Sequence, residues 1–430
     1  MEYLAVVLFV SILVCMLTGY PVAFVLGGLS AIVGFYFVPD FLDFLPLRIM
    51  GILQNNLLLA VPMFIMMGLV LEKTKIAEDL LQSMGNLLRR FPGGLAVSVV
   101  LVGGILAAST GIVGATVITM GLISLPVMLK AGYSKSLSTG IIAASGTLGQ
   151  IIPPSVILVL LGSVLQIPVG DLFKATVLPG AILMSAYIIF VMIYSFFSER
   201  RAKPIAPTEE EIVIERQSFK SLVQSLVFPL LLILMVLGSI FFGLASPTEA
   251  SGIGAMGAFL IAFVKNKMTW VLMQKVMKDT AELTTMVFFI LLGATTFALV
   301  FRGLDGDELL TSFVTNSDLT SMQFMILVMV VVFIAGFFID FIEIIFIIVP
   351  VVAPIFLMYQ VDLVWLGVLL AINLQTSFLT PPFGFALFYL KGVTPPEVQT
   401  RDVYKGVLPF LAIQTLVFIL FLLYPGLIWY

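Results

Sequence analysis

Two clusters of small polar residues interrupt otherwise apolar stretches of this 430-residue chain. The first joins Ser109, Thr110, Gly111 and Gly114 to Ser145, Gly146, Thr147, Gly149 and Gln150, and runs into Pro153, Pro154 and Ser155. The second joins Asp340 and Glu343 to Asn373, Gln375, Thr376, Ser377 and Thr380, and runs into Pro381 and Pro382. Hydroxyls, side-chain amides and the carbonyls freed beside glycines are neutral oxygen donors. Such donors suit a weakly held hard cation, with Na+ the natural choice; close helix packing is the plainer use of the same small residues. A carboxylate within an apolar run costs roughly 2.5–3.5 kcal/mol for Asp on insertion scales. Asp340 is therefore a candidate ion ligand or proton carrier, or else lies near a solvated surface. Asp340 and Glu343 stand three apart, so on a helix they would share a face. Each double proline breaks a helix, exposing carbonyls before it and a half-helix N-terminus after it, and that terminus favours an anion. Pro154 is expected in the first turn of the restarting helix, where no amide hydrogen is needed. Arg302, in "ALVFRGLDGDE", has two readings: a bidentate partner for an organic acid, or an interface anchor beside Asp305 and Asp307.

Helices in a bilayer must position these residues. The chain is 61% hydrophobic and 10% charged, against about 25% charged in soluble domains. Apolar runs long enough for a ~30 Å hydrocarbon layer recur throughout. The expected crossings are about 3–18, 20–38, 51–71, 136–163, 172–197, 226–244, 247–264, 280–301, 363–390 and 405–429. The N-terminus lacks a basic region and a cleavage signal, so it reads as a retained span. One cysteine, Cys15, and no histidine rule out a disulfide within one chain and Cys/His metal sites. They also favour Na+ over a proton relay, while coupling through the carboxylates stays open. The chain has no G-x-S-x-G, HExxH or Walker loop, so neither an enzyme nor a nucleotide-driven pump is expected. Nor is a nucleic-acid partner.

Residues 95–129 and 322–358 do not fit as single crossings. Each is about 35 residues long and would reach ~50 Å as one straight helix. Each is interrupted near its middle, by "AASTGIVG" and "FFIDFIE". Both are read as re-entrant helical hairpins, whose tips are tolerated only inside protein or a watery cavity. Ten crossings and two hairpins put Arg48, Lys174 and Arg302 on one side and the rest of the 21 basic residues on the other. By the positive-inside rule the basic side is cytoplasmic and both termini are periplasmic.

The chain repeats itself. Pro153-Pro154 recurs as Pro381-Pro382, Pro126 as Pro354, Pro21 as Pro247, and "FIMMG" at 64–68 as "FILLG" at 289–293, all at nearly one separation. The fold class expected is an all-α polytopic membrane protein of two inverted repeats, each with five spans, one of them broken, and one re-entrant hairpin. The first repeat, 1–197, holds scaffold spans 1–71, an amphipathic arm 73–92, hairpin 95–129, broken helix 136–163 and span 172–197. A charged cytoplasmic linker follows at 198–225. The second repeat, 226–430, holds scaffold spans 226–301, arm 304–315, hairpin 322–358, broken helix 363–390 and span 405–429. Interrupted helices at matching places of inverted halves point to a transporter's binding site.

The stretches "GILAASTGIVGATVITMGLISLPVMLKAGY", "SGTLGQIIPPS" and "NLQTSFLTPPFG" resemble the large membrane subunit of tripartite ATP-independent periplasmic (TRAP) transporters, over essentially the whole chain. The resemblance implies a Na+-driven, elevator-type secondary importer of the ion transporter superfamily in a bacterial inner membrane. It implies as partners a small four-helix membrane subunit, expected as a separate polypeptide, and a periplasmic binding protein that delivers an organic acid of the C4-dicarboxylate or sialic acid type. Carried over by position, Ser109–Gly111, Gly114 and Ser145–Gly149 would frame one Na+ site. Asp340 with Asn373, Gln375, Thr376, Ser377 and Thr380 would frame the second. The acid would lie between them, near Pro153, Pro154, Ser155, Pro381 and Pro382, with Arg302 and Asp340 as important charged positions. The runner-up is a self-sufficient ion-coupled anion symporter without a binding protein. A membrane-embedded enzyme or assembly scaffold is a third reading, weakened by the missing catalytic motifs and by the inverted repeat.

Overall fold

The architecture comes from a computed structural model. It describes residues 2–197 and 227–430, apart from 17, 75, 89, 90, 92, 111, 112 and 382. The linker at 198–225, Gly111 and Pro382 thus lie outside the described residues, among which there is no strand. In the first half the helices are α1 (Glu2–Met16), α2 (Val22–Phe37), α3 (Pro39–Leu42), α4 (Leu45–Leu53), α5 (Ala60–Lys73), α6 (Ile76–Leu88), α7 (Gly94–Thr110), α8 (Val113–Lys130), α9 (Lys135–Thr147), α10 (Val156–Leu165) and α11 (Val169–Phe197). In the second they are α12 (Val227–Phe241), α13 (Pro247–Val264), α14 (Trp270–Gly303), α15 (Gly306–Asn316), α16 (Ser321–Ala335), α17 (Phe341–Met358), α18 (Leu363–Leu379), α19 (Phe385–Val393) and α20 (Thr400–Leu423). Among the described residues, 7 helices are long and apolar enough to cross a membrane, which makes this a multi-pass membrane protein.

The elements follow the expected order, with shifted edges. The third span starts late, at Asn56, because Asn55 caps a 3-10 turn there by accepting the Leu57 amide at 3.0 Å. The eighth starts early. Lys275, Lys278, Asp279 and Glu282, expected in a loop or at a span end, belong to the 34-residue α14, whose N-terminus Thr269 caps through the Leu272 amide. Lys278 pairs with Glu282 one turn on, and Asp279 pairs with Lys73 of α5, so these charges are met without ending the helix.

Both long apolar runs are divided near their middles, into α7 with α8 and α16 with α17. In the second, Tyr359 past the end of α17 donates its hydroxyl to the Leu319 carbonyl before α16, at 2.5 Å. Phe324 and Phe356 pack at a tilt of 51° inside that closed mouth, with ring centroids 5.0 Å apart. In the first, α7 and α8 flank α9, with only residues 111 and 112 between them. The return legs, α8 and α17, have 18 residues each, longer than the mid-bilayer legs expected. At about 1.5 Å per residue each reaches ~27 Å, because the turns consume so few residues.

Contacts between the halves are reciprocal. The α2–α14 pair is answered by α13–α5, α9–α20 by α18–α11, and α10–α17 by α19–α8. Each element of one half meets in the other the counterpart of what its own counterpart meets, as in an isologous interface.

The arms do not lie free. Ile76, Leu80, Leu81 and Met84 of α6 are buried, and α6 packs chiefly on α7. Its polar side is tied down by Asp79, which meets Lys267 at 2.6 Å and Lys265 at 3.8 Å. Burial holds the Lys265 amine below its ordinary pKa, Asp79 pulling the other way and Lys267 adding to the depression. The second arm, α15, packs on α1 and α14 instead.

Candidate functional site

Both broken helices fail just past their polar clusters. α9 ends at Thr147, tightens into a 3-10 turn over Leu148–Gln150, and gives way to a bend before α10. Ser155 precedes α10 in an extended conformation and donates its hydroxyl back to the Gln150 carbonyl at 3.2 Å. Pro153 and Pro154 therefore lie in the bend, joined by a cis peptide. Pro154 does not occupy the first helical turn as expected, because Ser155 intervenes and α10 starts only at Val156. The second break is plainer: α18 stops at Leu379, Thr380 is extended, and α19 begins at Phe385 after Pro381, Phe383 and Gly384.

Each hairpin docks beside its break. A Cβ on Gly149 would fall 2.1 Å from the Ala107 carbonyl oxygen, so only glycine lets the 3-10 turn lie on α7. Ser109 and Thr110 close α7 two and three residues further on; the description covers only their backbone. In the other half, Asn373 donates Nδ2 to the Met329 carbonyl at 2.7 Å, and a Cβ on Gly336 would meet the Ser377 hydroxyl. The amide donor of Asn373 is thus spent on the hairpin, leaving its oxygen for a ligand. α18 also packs on α9 and on the Leu148–Gln150 turn, which brings the first break against the second broken helix.

The hydroxyls are arranged alike in both halves. Thr147 donates to the Ala144 carbonyl at 2.9 Å, Ser145 to Ile142 at 3.3 Å, and Thr376, Ser377 and Thr380 to carbonyls of the preceding turn at 2.8 Å. Their hydrogens are used and their oxygens keep lone pairs, which is what a cation needs. Gln150 and Gln375 are 0% exposed, and neither amide has a hydrogen-bond partner among the described residues. A buried, unpaired polar group costs about 1–3 kcal/mol, so these two are held at a price in stability. Among the described residues no three His, Cys, Asp or Glu side chains converge. The oxygens on offer are neutral ones plus one carboxylate pair.

That pair differs from the expectation. Asp340 is not on the helix; it is the N-cap of α17 and accepts the Phe341 amide at 2.8 Å. Glu343 reaches back to the Asp340 amide at 3.2 Å. The D-x-x-E spacing is a capping box, and it satisfies the amides that the second hairpin turn would otherwise leave bare in an apolar setting. Arg302 ends α14, 55% exposed, and donates Nε to Asp307 at 2.8 Å.

Two residues near the hairpins gave no signal in the sequence. Tyr389 of α19 lies against Gly114 in the first turn of α8 and within electrostatic reach of Asp340, so its ring stands between the start of α8 and the N-cap of α17. Glu72 at the end of α5 accepts the Thr119 hydroxyl of α8 at 3.3 Å, a polar seam between a hairpin leg and a neighbouring span.

Helices broken at matching places of the two halves, inside a multi-pass helical protein, are an arrangement found at the binding sites of solute transporters. The chain belongs to a family of that kind: the model for "Tripartite ATP-independent periplasmic transporter, DctM component" matches residues 9–427. It is 31% identical to the C4-dicarboxylate TRAP transporter large permease protein DctM of Pseudomonas aeruginosa, over 93% of this chain and 91% of that one. It is 28% identical to the sialic acid TRAP transporter large permease protein SiaM of Vibrio cholerae, over 89% and 88%. Its fold resembles the crystal structure of the Alcanivorax borkumensis YdaH transporter with a TM-score of 0.63 at 13% identity, covering 95% of this chain and 97% of that one. The chain is thus a large permease component of a tripartite transporter and not an enzyme.

Proposed function

We propose that the chain imports an organic acid across a bacterial inner membrane, driven by Na+, as the transport subunit of a binding-protein-dependent complex. The observation that carries this reading is the repeated arrangement at the two breaks, where buried hydroxyls with their hydrogens engaged lie beside a docked hairpin. One Na+ would be held by Ser109, Thr110, Gly111, Gly114, Ser145, Gly146, Thr147 and Gly149. The other would be held by Asp340, Asn373, Gln375, Thr376, Ser377 and Thr380. The acid would lie between them, near Pro153, Pro154, Ser155, Pro381 and Pro382, with Arg302 as an outer guide. Reciprocal packing of the halves supports an inverted repeat, and with it both termini in the periplasm. The hairpins and broken helices would move as one body against a frame of α1, α2, α5, α12, α13 and α14. A small membrane subunit and a periplasmic binding protein would complete the assembly. The relatives' substrates, C4-dicarboxylates and sialic acid, bound the class of solute.

Proteoliposomes test this. The chain, its small membrane subunit and its binding protein are reconstituted, an inward Na+ gradient is imposed, and uptake of radiolabelled succinate and N-acetylneuraminate is followed. Uptake of one acid is expected only with both Na+ and binding protein present. Uptake by the chain alone would favour the self-sufficient symporter, and flux indifferent to Na+ would remove the ion sites. In the same assay Gly149→Ala is expected to raise the half-saturating Na+ concentration about tenfold, since moving α7 off the turn costs on the order of 1–3 kcal/mol. An unchanged Na+ dependence would dissociate that turn from ion binding.

A further inference from the structure

Tyr389 sits in the second turn of α19, directly after the second break. The ring edge carrying Cδ2, Cε2 and Cζ lies on the first turn of α8: a Cβ on Gly114 would fall 2.9 Å from Cε2 and 3.0 Å from Cζ. Phe383, just before α19, packs on Phe338 of the second hairpin turn with ring centroids 5.3 Å apart, which brings Tyr389 within electrostatic reach of the Asp340 carboxylate. Tyr389 is nevertheless 42% exposed, and its hydroxyl makes no hydrogen bond among the described residues. An aromatic ring anchored on the first turn of α8, near the N-cap carboxylate of α17, thus keeps a partly exposed oxygen–hydrogen donor unused. A tyrosine hydroxyl usually finds a partner when buried; this one, partly exposed and unpaired, is free to meet a ligand.

We propose that Tyr389 contacts the solute, donating its phenolic hydrogen to a carboxylate of the transported acid between the first turn of α8 and the N-cap of α17. This deepens the organic-acid reading above and rests on it. The placement also orders events. A solute carboxylate beside Tyr389 comes near Asp340, and two like charges repel unless a cation has already met one of them. Tyr389 would therefore engage the acid only once the second ion position is filled. Gly114 serves by leaving room for the ring, not by ligating the acid.

The test uses the complete reconstituted transporter and whichever of succinate or N-acetylneuraminate the wild type imports. Tyr389→Phe keeps the ring on Gly114 and removes only the donor. It is expected to raise KM for the acid about tenfold, the effect of one charge-assisted hydrogen bond, with Vmax within about twofold of wild type and the half-saturating Na+ concentration unchanged. Gly114→Ala, which displaces the ring while keeping the hydroxyl, is expected to raise KM in the same direction. A wild-type KM in Tyr389→Phe overturns the proposal and leaves the transport reading standing. So does a fall in Vmax alone, which would make the ring a strut between the hairpins. A wild-type complex that moves neither acid overturns both readings.

Discussion

Asp340→Asn is expected to abolish Na+-driven uptake, by about a hundredfold, while the protein folds and inserts normally. Asparagine caps a helix as well as aspartate does, so the α17 N-terminus keeps its bond to the Phe341 amide. What is lost is the charge. Taking a carboxylate away from a desolvated cation costs about 3 kcal/mol or more, which is about a hundredfold in affinity. Asp340→Ala removes charge and cap together and should add about 1 kcal/mol of instability. Uptake in proteoliposomes and thermal unfolding in detergent, measured on both variants, separate the two roles. Wild-type uptake in Asp340→Asn would take the carboxylate out of the ion site and leave it a helix cap.

The crossing of α9 and α20 should show the largest stability effect. A Cβ on Gly140 would fall 2.0 Å from the Gly406 carbonyl oxygen, and one on Gly406 would fall 2.0 Å from that of Ser136. Both obstacles are backbone, so no side chain can swing aside and the helices must part. Gly406→Val is expected to cost about 3 kcal/mol, the upper end for overpacking, and to lower the unfolding temperature. Gly252→Ala in α13 is the control: nothing lies within 4 Å of its Cβ, and alanine's better helix propensity should stabilise by up to about 1 kcal/mol. If Gly406→Val melted like wild type, α9 and α20 would not touch there.

Much of this was legible in the residues. Apolar runs too long for one crossing and interrupted at their middles divide there into two helices each, α7 with α8 and α16 with α17, as expected where backbone cannot be left unpaired in lipid. Double prolines located both breaks for the same reason. Side-chain direction could not be read in that way. The D-x-x-E of Asp340 and Glu343 read as two carboxylates on one face, whereas the helix starts one residue later and the pair caps it. Arg302 and Asp307 lie on successive elements, and only the turn at Asp305, with φ 62, brings them together.

Composition and spacing alone determined that this chain lives in a bilayer, that it is helical, and where its helices break, because each of these is a local bargain between backbone hydrogen bonds and an apolar solvent. The tertiary structure alone decided which broken ends meet. Tyr389 and Gly114 are far apart in the chain, as are Gly140 and Gly406, and α2 and α14. Their approach follows from how the two halves pack, and that of Gly149 to Ala107 from how one hairpin docks within its own half, which no local pattern encodes.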